Sequence, residues 1–169
     1  MTDAVPVMTF RKAAPIDAVA LLDLERDANL VGLGHVFDPA RYPFPDNAVL
    51  SRWALVLDDP EVTVDVVDGN SGLQAYVAYD DHLLRHLAVH PSAWGTGLAR
   101  AAVDRAVTAM AAGGGGRATL WVLDQNHRAR GLYEHLGWEP TGRHQECPWA
   151  PHPVELEYAL ALQHRPPAP

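Results

Sequence analysis

The sequence predicts an α/β (α+β) fold: a mixed, mostly antiparallel, twisted sheet of six to seven strands with a central parallel pair and about four helices. Two observations carry this prediction. The apolar segments 83–89 and 118–123 flank an Ala-rich helical segment, and such a strand–helix–strand unit forms a right-handed crossover with parallel strands. Short alternating segments on either side of this unit, joined by tight turns, are typical of antiparallel hairpins.

The first half of the chain supplies one strand, two helices and a hairpin. Residues 6–11 alternate and predict a strand, and Pro15 opens a helical pattern that continues to about Asn29. Asp46 is placed to cap a second helix, and residues 62–79 predict a hairpin turning at residues 69–72. Between the two helices, residues 30–45 are irregular and rich in aromatics, which suits either a binding loop or a plug at the core edge.

The second half alternates helices and strands. Apolar residues from Ala99 to Met110 share a helical face, and the glycines 113–116 end this helix before the strand 118–123. Asn126 is placed to cap a last helix, which Gly137 closes. Residues after Trp138, with the alternating segment 154–160, predict a final hairpin with a long connection over 139–153.

Composition limits the class of protein. Of the residues, 48% are hydrophobic, which suits one domain, predicted over residues 1–162, with a disordered tail over 163–169. A formal charge of -8 argues against a nucleic-acid partner and favours cationic ones. The single Cys147 fits a reducing compartment, and no apolar run is long enough to span a membrane. We therefore expect a cytoplasmic protein with no membrane partner.

A Gly-rich turn joins a strand to a helix between Leu87 and Ala99. Glycines let successive backbone N–H groups turn toward one point, and a helix N-terminus adds unpaired donors and the positive end of its dipole. The stretch therefore predicts a site for a phosphate or pyrophosphate. The alternative is a tight strand-to-helix turn that binds nothing.

Two local patterns resemble the GNAT superfamily of N-acetyltransferases. Leu87-Ala88-Val89-His90-Pro91 followed by Trp94-Gly95-Thr96-Gly97-Leu98-Ala99 is similar to the family's acetyl-CoA motif, Gln/Arg-x-x-Gly-x-Gly/Ala. Asn126, Ala129 and Leu132-Tyr133-Glu134-His135-Leu136-Gly137-Trp138 are similar to its Asn, Ala, Leu-Tyr-x-x-x-Gly-Phe block. Trp94 departs from the first motif, where Gln or Arg is usual. The resemblance implies a GNAT-like three-layer fold with helices on both faces of the sheet.

The resemblance also implies acetyl-CoA as the cofactor. The amides from Trp94 to Ala99 would hold its pyrophosphate, and a backbone N–H from the strand Leu87 to Val89 would polarise the acetyl carbonyl. Arg100 and Arg128 are candidates for the nucleotide phosphates, with a solvated surface role as the alternative. Asn126 would orient the cofactor or the backbone, unless it only caps the helix.

For acid–base catalysis, Tyr133 occupies the family's general-acid position, where a phenol with a pKa of about 10 can protonate a thiolate. The alternative is an aromatic that only packs on the buried helical face. Leu83 stands where some family members place a Glu base, so Asp81 and His86 are weak candidates for the base. Adjacent Asp residues more often form a turn, and a His in a strand is more often packed.

The expected acceptor is a primary amine of a small cationic molecule. Residues 30–45 and 139–153 could wall in a compact pocket, with Phe37, Tyr42 and Glu146 as candidate substrate-binding residues. The alternatives are an N-acetyltransferase acting on peptide or protein amines, and a non-catalytic CoA-binding module. No His/Cys cluster has metal-ligand spacing, so no metal is expected. A homodimer through the last strands is left open.

Overall fold

The structure is a computed structural model that describes residues 8–163, and its centre is one seven-stranded sheet in the order β1-β2-β3-β4-β5-β7-β6. Among the strands within residues 8–163, only β4 and β5 pair in parallel, so the predicted mixed sheet with a central parallel pair is confirmed. The strands are β1 (Arg11–Lys12), β2 (Thr63–Gly69), β3 (Gly72–Tyr79), β4 (Leu83–Val89), β5 (Arg117–Leu123), β6 (Glu139–Glu146) and β7 (Val154–Ala161). The helices are α1 (Ala18–Gly32), α2 (Asp46–Asp58), α3 (Leu98–Ala112) and α4 (His127–His135).

Helices cover both faces of the sheet. Successive residues of a strand face opposite sides, and β3 shows the consequence. Tyr76 and Ala78 are buried in a cluster with α1 and α2, whereas Val77 and Tyr79 are buried with α3 and α4. The sheet is therefore the middle layer of three.

The crossover from β4 through α3 to β5 is tightly packed. The buried face of α3 consists mainly of small residues, since Ala102 and Ala106 are fully buried with Val103 and Met110. Small side chains let a helix lie close to the sheet. This places the N-terminus of α3 directly after the end of β4.

Two predicted strands are corrected. The first was predicted over residues 6–11, but β1 comprises only Arg11 and Lys12, and residues 6 and 7 lie outside the described part. The stretch predicted as a connection over 139–153 contains β6. Nearly all of β6 is exposed and polar, so no apolar alternation marked it as a strand.

Smaller differences affect the helix ends and the termini. Asp46 does not cap α2 but is its first residue, where a carboxylate still suits the positive end of the helix dipole. Residues 164–169 of the predicted tail lie outside the described part, so the tail and the single domain over 1–162 stay predictions. No helix within residues 8–163 is both long enough and apolar enough to cross a bilayer.

Candidate functional site

The site begins where the two parallel strands separate. Strands β4 and β5 pair only at Leu83 with Thr119 and at Leu84 with Leu120. Residues 86–89 of β4 continue to pair with β3 on the other side. The edge of β4 that faces β5 therefore has backbone donors and acceptors without strand partners, and a cleft opens there.

The Gly-rich turn forms one end of this cleft. Gly95 and Gly97 have φ angles of 78° and 84°, which lie in the left-handed region that favours glycine. Within residues 8–163, no carbonyl or side chain accepts a hydrogen bond from the backbone N–H groups of residues 95–100. The first amides of an α-helix have no partner inside the helix, so α3 presents unpaired donors here.

Trp94 has a structural role at the position where the family motif has a polar residue. Its indole Nε1 donates to the Val89 carbonyl at 2.9 Å, and the Arg128 guanidinium stacks on its ring at 3.8 Å from the centroid. Its own backbone N–H donates to Pro91, so the unpaired amides begin at Gly95. The indole thus attaches the turn to the end of β4.

The other side of the cleft is helix α4. Tyr133 is 6% exposed, packs edge-on against Trp138 with centroids 5.9 Å apart, and lines the cleft. Its hydroxyl makes no hydrogen bond within residues 8–163, and burial raises its pKa above the ordinary value for tyrosine. Asn126 lines the cleft as well, and its side chain caps α4 by accepting from the Ala129 N–H at 3.2 Å.

The cleft has a volume of about 580 Å³ and gathers most of the predicted cofactor-binding residues. Thr96 is the exception, because it does not line the cleft and its hydroxyl donates to the Ala93 carbonyl at 2.6 Å. Arg100 lines the cleft from an exposed position and lies 3.8 Å from Asp104. The others are Leu87, Ala88, Val89, Trp94, Gly95, Gly97, Leu98, Ala99, Asn126, Arg128 and Tyr133.

A second cavity of about 440 Å³, here called the side cavity, adjoins the cleft. Phe37 and Tyr42 of the aromatic loop line it, together with Cys147 and Trp149 from the connection between β6 and β7. The two cavities meet at a junction lined by residues that belong to both. These residues are Glu25, Asn29, Leu33, Leu123 and Glu155.

Glu146 does not line either cavity, contrary to its prediction as a substrate-binding residue. It is exposed at the end of β6 and pairs with Val154. Successive residues of an extended chain face opposite sides. Cys147, the next residue, therefore lines the side cavity while Glu146 does not.

The two candidates for the base lie in unfavourable places. Asp81 is in the turn between β3 and β4, is exposed, contacts His82 and lines neither cavity. His86 does line the cleft, but desolvation, Arg52 and Arg85 lower its pKa to about 3. Its imidazole is therefore neutral at physiological pH and binds a proton poorly.

The turn that contains Asp81 also holds a group with possible metal-ligand geometry. Ligand atoms of Asp80, Asp81 and His82 lie within 4.8 Å of one another. The carboxylate of Asp80 already accepts from the N–H groups of His82 and Leu83 and from Arg85 Nε. These hydrogen bonds are those of a turn, and they account for the closeness of the three side chains. They also hold the pKa of Asp80 below its usual value, although burial alone would raise it.

Sequence reasoning did not select Glu25 or Glu155, the two carboxylates at the junction. Glu25 lies on α1, and its Oε2 accepts from Trp53 Nε1 at 2.7 Å and from Arg52. Glu155 lies on β7, where Gln145 Nε2 donates to its Oε2 at 2.8 Å. Glu25 stands among Asp23, Arg26 and Asp27 along the chain, and Glu155 is followed by Glu157, so both resemble the charged residues of a solvated face.

Comparison with known proteins gives one family and many similar structures. The sequence model described as the acetyltransferase (GNAT) family matches residues 17–138. A mycothiol acetyltransferase from Beutenbergia cavernae is 47% identical over 60 residues, which cover 36% of this chain. The matched segment spans only 20% of that relative's length.

Two solved structures illustrate the likeness in fold. The ribosomal-protein-S18-alanine N-acetyltransferase of Escherichia coli superposes with a TM-score of 0.69 at 20% identity, over 95% of this chain and 97% of that one. The PaiA N-acetyltransferase of Thermoplasma acidophilum, solved in complex with coenzyme A, gives a TM-score of 0.70 at 13% identity, over 91% and 98%. The architecture of this chain is therefore shared with solved N-acetyltransferases.

Proposed function

This chain belongs to the acetyltransferase (GNAT) family, whose enzymes use acetyl-CoA as cosubstrate, and we propose that it acetylates a primary amine of a small molecule with Tyr133 as general acid. The observation that carries the proposal is the cleft. Residues of the free edge of β4, Tyr133, and the residues 95 and 97–100 with unpaired amides all line one continuous space.

These residues fit acetyl-CoA. Six successive amides without protein partners, at the N-terminus of α3, suit the oxygens of its pyrophosphate. Arg100 and Arg128 add positive charge at the same end of the cleft. The free edge of β4 over residues 85–89 offers donors to the acetyl carbonyl and partners to the amides of the pantetheine arm.

Acetyl-CoA, when bound, supplies the acetyl group as a thioester, whose C–S bond breaks as a C–N bond to the amine forms. In this proposal, a backbone N–H between Leu87 and Val89 donates to the carbonyl oxygen, where negative charge develops. The Tyr133 phenol gives its proton to the sulfur. Burial keeps the phenol protonated, because it disfavours the charged phenolate.

The proposed acceptor is a small molecule because two chain segments bound the side cavity. Phe37 and Tyr42 come from the aromatic loop, and Cys147 and Trp149 come from the connection between β6 and β7. A peptide acceptor would need a groove open at both ends to admit the chain. The alternative is a CoA-binding module without catalysis. Activity measurements distinguish this module from the proposed N-acetyltransferase.

Two measurements test the proposal. Isothermal titration calorimetry with acetyl-CoA should give saturable binding, and purified protein with acetyl-CoA and a panel of amines should release free thiol. Undetectable binding at millimolar acetyl-CoA would refute the cosubstrate site. The peptide alternative would be favoured if acetyl-CoA binds and thiol is released with peptide amines but with no small amine.

A further inference from the structure

The wall of the side cavity is mostly apolar. Its lining includes the side chains of Leu30, Leu33, Phe37, Tyr42, Phe44, Val49, Leu123 and Trp149. Among the described residues that line it, only Glu25, Arg41 and Glu155 carry charged side chains. Arg41 is exposed and lies 5.6 Å from the centroid of the Tyr42 ring, so its charge is in contact with solvent.

The two carboxylates are concentrated at the junction with the cleft. The Glu25 side chain is 13% exposed, and its Oε2 is held by two donors, Arg52 and Trp53 Nε1. Within residues 8–163, no donor reaches its other oxygen, Oε1. A half-buried carboxylate fixed through one oxygen leaves the other free for a ligand.

The second carboxylate comes from the sheet, whereas Glu25 comes from the helical layer of α1. Glu155 is half-buried on β7, and Gln145 Nε2 holds its Oε2. The Cys147 thiol lies beside it, and burial together with this carboxylate raises the pKa of the thiol. The junction therefore has a carboxylate on each of two elements, α1 and β7, and beyond it the side cavity is mostly apolar.

We propose that the side cavity selects a primary amine carried on an aromatic or branched apolar body, with Glu25 and Glu155 holding the amine nitrogen at the junction. This inference rests on the proposed function, because the nitrogen held there faces the cleft in which the acetyl group would lie. It names the acceptor class that the proposed function leaves open.

Desolvation supports this class over the other small cations. One ammonium group entering the junction exchanges water for carboxylate oxygens, whereas a second charge or a ring of hydroxyls would lie against apolar walls without partners. A diamine or an amino sugar therefore loses more on entry than an amine with an apolar body. The bound ammonium then passes a proton to one of the two carboxylates, an N–H bond breaking and an O–H bond forming, which frees the lone pair for attack.

The first experiment compares acceptors. Wild-type protein is assayed by thiol release with 2-phenylethylamine, 3-methylbutylamine, putrescine and glucosamine at saturating acetyl-CoA. We expect kcat/KM for the two apolar amines to exceed that for putrescine and glucosamine at least tenfold. Turnover that favours putrescine or glucosamine overturns the inference but leaves the proposed function standing. The absence of acetyl-CoA binding in calorimetry refutes the proposed function instead.

A second experiment tests the carboxylate with a matched control. Glu155→Gln should raise KM for 2-phenylethylamine at least tenfold while changing the Kd of acetyl-CoA less than twofold. Glu139→Gln changes an exposed glutamate of the same hairpin that lines neither cavity, and it should behave as wild type. If both variants have the wild-type KM, Glu155 does not hold the nitrogen.

A third experiment reports binding without turnover. Cys147 is the single cysteine of the chain and lines the side cavity, so its labelling rate with N-ethylmaleimide reports access to that space. Saturating 2-phenylethylamine should slow labelling at least threefold, and putrescine should not. Equal rates with and without 2-phenylethylamine place the acceptor elsewhere. Thermal unfolding of each variant shows whether an altered value comes from a folded protein.

Discussion

Changing Tyr133 to Phe tests the general acid, and the structure allows its effects on catalysis and on stability to be separated. The ring is 6% exposed and packs against Trp138, and Phe preserves that packing. The hydroxyl has no hydrogen-bond partner within residues 8–163, so its removal should change the free energy of unfolding by less than about 0.5 kcal/mol.

Catalysis should change far more than stability. A positioned general acid contributes about 10²–10⁴-fold, so Tyr133→Phe should lower kcat by at least about 10²-fold, which corresponds to about 2.7 kcal/mol of activation free energy. The Kd of acetyl-CoA should stay close to the wild-type value. The assay is thiol release under saturating acetyl-CoA and amine, beside calorimetry of acetyl-CoA binding.

Tyr158→Phe provides the control, because Tyr158 is fully buried but does not line the cleft. Its hydroxyl donates to Glu134 Oε1 at 2.7 Å and accepts from Arg130 Nε at 3.1 Å. Losing these bonds should cost about 1–2 kcal/mol, and each kcal/mol should lower the Tm by about 2–4 °C. The kcat of folded Tyr158→Phe should stay close to the wild-type value.

Two outcomes would refute this reasoning about Tyr133. A Tyr133→Phe variant with wild-type kcat excludes the phenol as the proton donor. A variant that loses acetyl-CoA binding and kcat together makes Tyr133 a binding residue instead. Wild-type protein that binds acetyl-CoA but acetylates neither small nor peptide amines would favour the non-catalytic module.

Three further predictions concern the turn and the N-terminal ion pair. Trp94→Phe removes the donor to the Val89 carbonyl, so the Kd of acetyl-CoA in calorimetry should rise severalfold while the acceptor KM stays unchanged; an unchanged Kd would contradict this role. Gly97→Ala puts a Cβ at φ 84°, which should cost about 1 kcal/mol in chemical denaturation and weaken acetyl-CoA binding; unaltered stability would argue against strain. Arg11 donates to both Asp17 oxygens and lowers the pKa of Asp17. The ion pair should therefore stabilise the fold fully above about pH 4, the usual pKa range for Asp, and its contribution should be lost as the pH falls further. Asp17→Asn should therefore lower the Tm at pH 7 but much less at pH 3, and an equal loss at both would rule out the ion pair as the cause.

The sequence predicted the order of most elements because their signals are local. The apolar segments of β4 and β5 and the helical spacing of α3 are visible in short windows, and Asn126 caps α4 as expected. The extent of the edge strand β6 was not predicted, because its exposed polar residues have no apolar alternation. The hairpin with the following strand was predicted, but the extent of β6 over Glu139–Glu146 is visible only in three dimensions.

The aromatic loop shows how far the same reasoning extends to the site. Phe37 and Tyr42 were selected from composition and line the side cavity. Glu146 was selected from the same kind of evidence and does not line it, because its strand turns it to the other face. A sequence shows which residue types are near one another along the chain, but not which segment covers a given strand face.

By itself, the sequence determined the features that depend on neighbouring residues: the glycines that permit the turn after β4, the unpaired amides that any helix start provides, and the family to which the two motifs belong. Tertiary structure alone decided where β4 and β5 separate and what lies beside that opening. Glu25 and Glu155 meet at the junction because α1 and β7 pack around one cleft from distant parts of the chain. The closeness of residues from distant elements follows from the packing of whole layers, and no local sequence pattern predicts it.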